Sequence, residues 1–137
     1  MTLEARTVSV SVDRSPADVY EYAADPRNMP RWSFIEAVAP SDDGRWEATV
    51  PGGGRSLLTF APPNELGVLD HDVVVSEERV VHVPMRVVAN DGGSEVLFTA
   101  YRQPGMSDRD FAADVAAVEK DLATLKALIA EIDDDGR

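Results

Sequence analysis

Residues 107–132, SDRDFAADVAAVEKDLATLKALIAEI, are the stretch whose reading decides the fold. Ser107 is a helix N-cap residue, and Asp108 and Asp110 place negative charge in the first turn, at the positive end of the helix dipole. Phe111, Val115, Val118, Leu122, Leu125, Ile129 and Ile132 then recur at alternating spacings of four and three. That periodicity makes one apolar face on a helix of about 25 residues, roughly 37 Å long. Burying the stripe is worth on the order of 10–20 kcal/mol gross, before chain entropy is set against it, so it needs a cover. A second copy in a coiled coil is one cover, and a sheet of the same chain is the other. The short pattern and the strands upstream favour the sheet.

Working outward, Gln103-Pro104-Gly105 breaks the strand before this helix. Upstream, short strands are expected at 34–39, 45–50, 56–61, 66–75, 79–89 and 95–103. Their separators, among them Asp42-Asp43-Gly44, Pro51-Gly52-Gly53-Gly54 and Asp91-Gly92-Gly93, are turn chemistry, so consecutive strands are expected to pair antiparallel. At the other end, Val8, Val10 and Val12 alternate with Thr7, Ser9 and Ser11 as a half-buried strand. Ser15, Pro16 and Asp18 then open a short helix carrying Val19, Tyr20, Tyr22 and Ala23, and 26–30 reads as a second short helical turn or an irregular loop.

A chain of 137 residues is one domain by length, here 1–137, with 133–137 expected as a frayed tail. There is no Cys, which excludes disulfides and thiolate chemistry, and the 2 His residues cannot build a His-rich metal cage. The net charge of −12 argues against nucleic acid or an anionic membrane as a partner. With no apolar run near the roughly 20 residues of a membrane span, and no leader-like N-terminus, the expected location is the cytoplasm. Phosphate-loop, nucleophile-elbow and zinc-protease motifs are absent from the sequence.

The order of elements, with Ser-Pro-Ala-Asp-Val-Tyr at 15–20, Pro30-x-Trp32 and Gly93-Ser94-Glu95, resembles the helix-grip superfamily. That group includes START lipid-binding domains and the birch-pollen allergens, together labelled SRPBCC. Small bacterial polyketide cyclase/dehydrase-like proteins look most similar. The resemblance covers essentially the whole chain. It implies an α+β fold in which a seven-stranded curved antiparallel sheet wraps round the last helix, with two short helices between strands one and two. It also implies a cavity for a small apolar or aromatic molecule, and an activity ranging from ligand carriage to cyclisation or dehydration, neither of which needs a cofactor.

Alternation identifies the cavity wall. Val96, Phe98 and Ala100 share the inward face of the last strand, and Glu95, Leu97, Thr99 and Tyr101 the outward one. Val81, Val83, Met85 and Val87 point in, leaving His82 and Arg86 outside, with a surface ion pair as the expected role of Arg86. Trp46, Ala48, Leu58 and Phe60 point in from their strands, and the resemblance places Trp32 and Phe34 at the cavity entrance. Trp32, Phe34, Trp46, Phe60, Met85 and Phe98 are thus candidate ligand contacts, although core packing explains the same residues. In Asp70-His71-Asp72, strand neighbours point to opposite faces, so the three cannot converge on a metal ion. Either His71 or the two carboxylates face inward, and His71 is the less costly choice. An inward imidazole, with Asp70 beside it and Arg102 at the mouth, is the candidate catalytic set for a cofactor-independent cyclase or dehydrase. Tyr101 and Leu97 on the outer face leave a third reading, a partner-binding module or homodimer contact.

Overall fold

The structure, a computed structural model, describes residues 1–132, so the expected tail at 133–137 lies outside the described residues. Strand β1 (Ala5–Val12) is followed by helix α1 (Pro16–Ala23), a 3-10 turn (Pro26–Asn28) and the one-turn helix α2 (Met29–Trp32). Strands β2 (Ala37–Pro40), β3 (Trp46–Thr49), β4 (Arg55–Phe60), β5 (His71–Ser76), β6 (Arg79–Val83), β7 (Met85–Asn90) and β8 (Gly93–Tyr101) lead to helix α3 (Asp108–Ala130). Serine caps set the starts of α1 and α3. Ser15 Oγ accepts from Asp18 N at 3.2 Å, and Ser107 Oγ accepts from Asp110 N at 3.0 Å while Asp110 Oδ2 accepts from Ser107 N at 3.4 Å.

The α+β helix-grip expectation holds, with one correction. In place of a single seven-stranded sheet, the described residues form 8 strands in two antiparallel sheets, ordered β1-β8-β7 and β2-β3-β4-β5-β6. The strand expected over 79–89 divides at Pro84, its first half pairing with β5 and its second with β8. Thr99 N donates to Pro84 O at 3.0 Å, but proline has no N–H to return that bond, so the β8 ladder stops there. The two sheets stay joined through 67–69. Leu69 N donates to Met85 O and Val87 N to Gly67 O, both at 2.9 Å, and Val68 bridges Arg86. This run is the first half of the strand expected over 66–75, which becomes a regular strand only from His71. Gly67 permits the approach, since its φ is +75° and a Cβ there would sit 2.1 Å from Val87 O.

Helix α3 lies against β1 and β8, with α2 along its side. Phe111, Val115, Val118, Leu122, Leu125 and Ile129 are all buried, so the apolar stripe is covered by the chain's own sheet and not by a coiled-coil partner. The Gly93-Ser94 signature also has a structural cause. A Cβ on residue 93 would lie 2.6 Å from Val12 O, and buried Ser94 Oγ donates to Arg14 O at 2.7 Å, fixing the exit from β1.

Candidate ligand-binding site

Two cavities lie inside the curve of the sheet. One, of about 370 Å³, sits between the sheet and α3; Leu58, Val73, Val81, Phe98 and Val118 are in its walls, with Phe34 and Val75 at exposed positions. The other, of about 520 Å³, lies under α1, between the Pro26–Trp32 segment and the chain at 59–71, and its walls include Tyr20, Trp46, Phe60 and Met85. Met29, Trp32 and His71 belong to both walls. The two chambers therefore share a partition made of a thioether, an indole and an imidazole.

His71 is inward, as alternation from Val73 requires, and 7% exposed. Its ring lies 5.6 Å from the Phe60 ring and 6.3 Å from the Phe98 ring, centroid to centroid. Nδ1 is 3.0 Å from Leu69 O. A carbonyl only accepts, so Nδ1 carries the proton and Nε2 the lone pair. Burial pushes the imidazole below its ordinary pKa, outweighing the Leu69 bond and the charges of Asp70 and Asp72, and the ring is neutral. Nε2 has no hydrogen-bond partner among the described residues.

The flanking carboxylates point elsewhere. Asp72 Oδ1 meets His82 Nδ1 at 2.6 Å on the outer face. Asp70 is a neighbour of the larger chamber, but its Oδ1 accepts from Met85 N at 2.9 Å and pairs with Arg86. The surface ion pair expected of Arg86 is thus present, with Asp70 as its partner. Arg102 lines neither chamber. It follows the last residue of β8, where alternation no longer sets direction, and it clamps the turn into α3. Its Nε and Nη2 donate to Met106 O at 3.1 and 2.9 Å, and its Nη1 reaches Asp108 at 2.6 Å and Glu4 at 3.2 Å.

The six expected ligand contacts all border a cavity. Trp32 borders both, Trp46, Phe60 and Met85 the larger, and Phe34 and Phe98 the smaller. Phe34 is 57% exposed and stands at a rim, whereas Met85 is 2% exposed and belongs to the core as well. Arg27 stacks over the Trp46 ring, 5.2 Å from its centroid. Two carboxylates went unread in the sequence. Asp114 and Asp121, on α3, border the smaller cavity, and Asp121 accepts a hydrogen bond from the Phe34 backbone. Burial pushes Asp121 up to about 6 and raises Asp114 in the same direction. Their spacing of two helical turns beside the apolar stripe was the available signal.

A curved antiparallel wall gripping one long C-terminal helix over a cavity defines a START-like, SRPBCC-type protein. Within that class, the chain belongs to the family described as polyketide cyclase / dehydrase and lipid transport, whose model matches residues 5–130. No curated protein matches it. Solved structures share the fold at low identity. An uncharacterised Bacillus thuringiensis protein is 13% identical, with 93% of this chain and 100% of that one covered and a TM-score of 0.76. A START superfamily protein from Mycobacterium smegmatis is 12% identical, with 94% and 99% covered and a TM-score of 0.73. DynU16, a protein in the dynemicin biosynthetic locus, is 15% identical with a TM-score of 0.73. There 93% of this chain matches 47% of that one. Among the described residues, no helix is long and apolar enough to cross a membrane.

Proposed function

We propose that this protein binds a small apolar or aromatic molecule in the chambers between its sheet, α1 and α3. The observation carrying this reading is the pair of cavities, about 370 and 520 Å³, walled mainly by apolar and aromatic side chains and sharing the neutral imidazole of His71. Sites of this kind take small molecules through apolar contact, with a few polar groups setting orientation. The test is native mass spectrometry of the protein as purified, followed by denaturing release and identification of what it carried. A stoichiometric aromatic or acyl compound is expected. A protein that is empty and also fails to take up a fluorescent apolar probe would sink the reading.

A second reading, an acid–base cyclase or dehydrase, is favoured by His71 alone. Its Nε2 lone pair faces no protein donor, the arrangement a general base needs for removing a proton from a ligand carbon or hydroxyl. Arg102 takes no part in this version, because it is bonded away from both chambers, and Asp70, at the edge of the larger one, is held by Met85 N and Arg86. Once a ligand is known, His71→Ala separates the two readings. For a carrier, only affinity changes, and neither form turns the ligand over. For an enzyme, turnover falls far more than affinity.

A further inference from the structure

Trp32 and His71 are the two polar side chains in the wall common to both chambers, and each has a ring nitrogen with nothing to bond. Trp32 is 4% exposed, and its buried Nε1 has no hydrogen-bond partner among the described residues. His71, 7% exposed, has Nδ1 on Leu69 O and leaves Nε2 free. An indole N–H only donates, and an unprotonated imidazole nitrogen only accepts. The two are complementary, yet they do not bond one another.

We propose that this partition is a hydroxyl-binding subsite, in which one hydroxyl of an uncharged apolar ligand accepts from Trp32 Nε1 and donates to His71 Nε2. The inference rests on the reading that the chambers take a ligand. An alcohol, a neutral phenol or an enol satisfies both nitrogens with one oxygen. A ketone or an ether satisfies Trp32 only. A carboxylate or phenolate has no proton for His71, and it meets a cavity whose helix side carries half-buried Asp121 with Asp114 at an exposed position; Arg79 on that wall is exposed, and His82 is paired with Asp72. Buried groups left unpaired by the wrong ligand are what give a polar subsite its discrimination.

The test uses the full chain, ¹⁵N-labelled, titrated with naphthalene, 2-methoxynaphthalene and 2-naphthol below the naphthol pKa. The expected order is 2-naphthol tightest, roughly thirtyfold over naphthalene as two net hydrogen bonds give, with the methyl ether, which makes one, between them. The Trp32 indole N–H resonance should move downfield with naphthol and with the ether, and stay in place with naphthalene. Trp32→Phe and His71→Phe should each cut the ratio of naphthol to naphthalene affinity, whatever change in naphthalene binding the reshaped wall brings. If Trp32→Phe does not fold, Trp46→Phe still assigns the resonance in the wild-type titration. Equal affinities for naphthol and naphthalene with an unmoved Trp32 resonance overturn the subsite and leave ligand binding standing. Failure of all three probes to bind overturns the ligand-binding reading and the subsite together.

Discussion

Leu69 and Met85 face each other across the gap between β5 and β7 but exchange only one of the two hydrogen bonds that such a pair can make. The register that pairs His71 with Val83 and Val68 with Arg86 sets Leu69 opposite Met85. Leu69 N donates to Met85 O at 2.9 Å; the return bond from Met85 N goes instead to Asp70 Oδ1, also at 2.9 Å. Leu69 O is thereby left for His71 Nδ1, at 3.0 Å. The carboxylate beside the histidine thus acts on it through the backbone, by keeping a carbonyl free to hold its tautomer.

Asp70→Ala should therefore do two things. It strips the buried Met85 N–H of its acceptor, which costs about 1–3 kcal/mol unless that N–H turns to Leu69 O. In that case Leu69 O is shared, and His71 gains freedom to place its proton on Nε2. Urea denaturation reads the first effect, and the ¹⁵N shifts of the His71 ring read the second. A variant of wild-type stability with an unchanged tautomer would remove Asp70 from this role.

Stability at mildly acid pH should track His71. Its folded pKa is depressed, so the unfolded chain binds the extra proton first, and stability falls as pH drops below about 6.5 toward the folded value. His71→Phe should flatten that limb of a pH–stability curve. A limb of the same slope in the variant would assign it to other groups.

Asp121 works in the opposite sense. Its folded pKa is raised from 3.8 to about 6, so the folded state holds a proton that the unfolded chain has lost between those values. Stability from this group is therefore highest at acid pH and declines as pH rises through about 6. Asp121→Asn keeps an oxygen for the Phe34 N–H and removes the charge. It should be more stable than wild type at pH 7.5 and indistinguishable from it near pH 4, by thermal melts at both pH values.

Access to the smaller cavity can be blocked without disturbing the core. Ala117 is exposed on α3 and borders that cavity. Ala117→Trp should weaken binding of an apolar fluorescent probe by about tenfold or more, the effect of roughly 1.4 kcal/mol, while the melting temperature stays near wild type. Unchanged affinity would place the ligand in the larger chamber, where Trp46→Ala becomes the informative variant.

The α3 stripe itself should behave as core. Leu125 is 0% exposed, and Leu125→Ala should cost about 2–5 kcal/mol in denaturant unfolding, through lost burial plus the cavity left behind. A cost below about 1 kcal/mol would mean that the helix is held elsewhere.

What the amino-acid sequence determined by itself is everything set by short-range chemistry. Serine caps and acidic first turns start α1 and α3, the four–three spacing from Phe111 to Ile129 marks the buried face of α3, and period-two alternation puts His71, Met85, Val96 and Phe98 inside. These signals lie within one or two turns or along one strand, so they survive without knowledge of the partner. Tertiary structure alone decided the rest. Pro84 divides a strand because β8 arrives opposite it, and Asp70 fills a ladder position because Leu69 and Met85 are brought face to face. Arg102 turns to Asp108 and Glu4, past the end of the strand that would have aimed it. Trp32 and His71, 39 positions apart in the chain, become one wall between two chambers only when α2 docks against α3 and β2. Hydrogen bonds and cavities between distant segments depend on long-range register, and no local pattern encodes that.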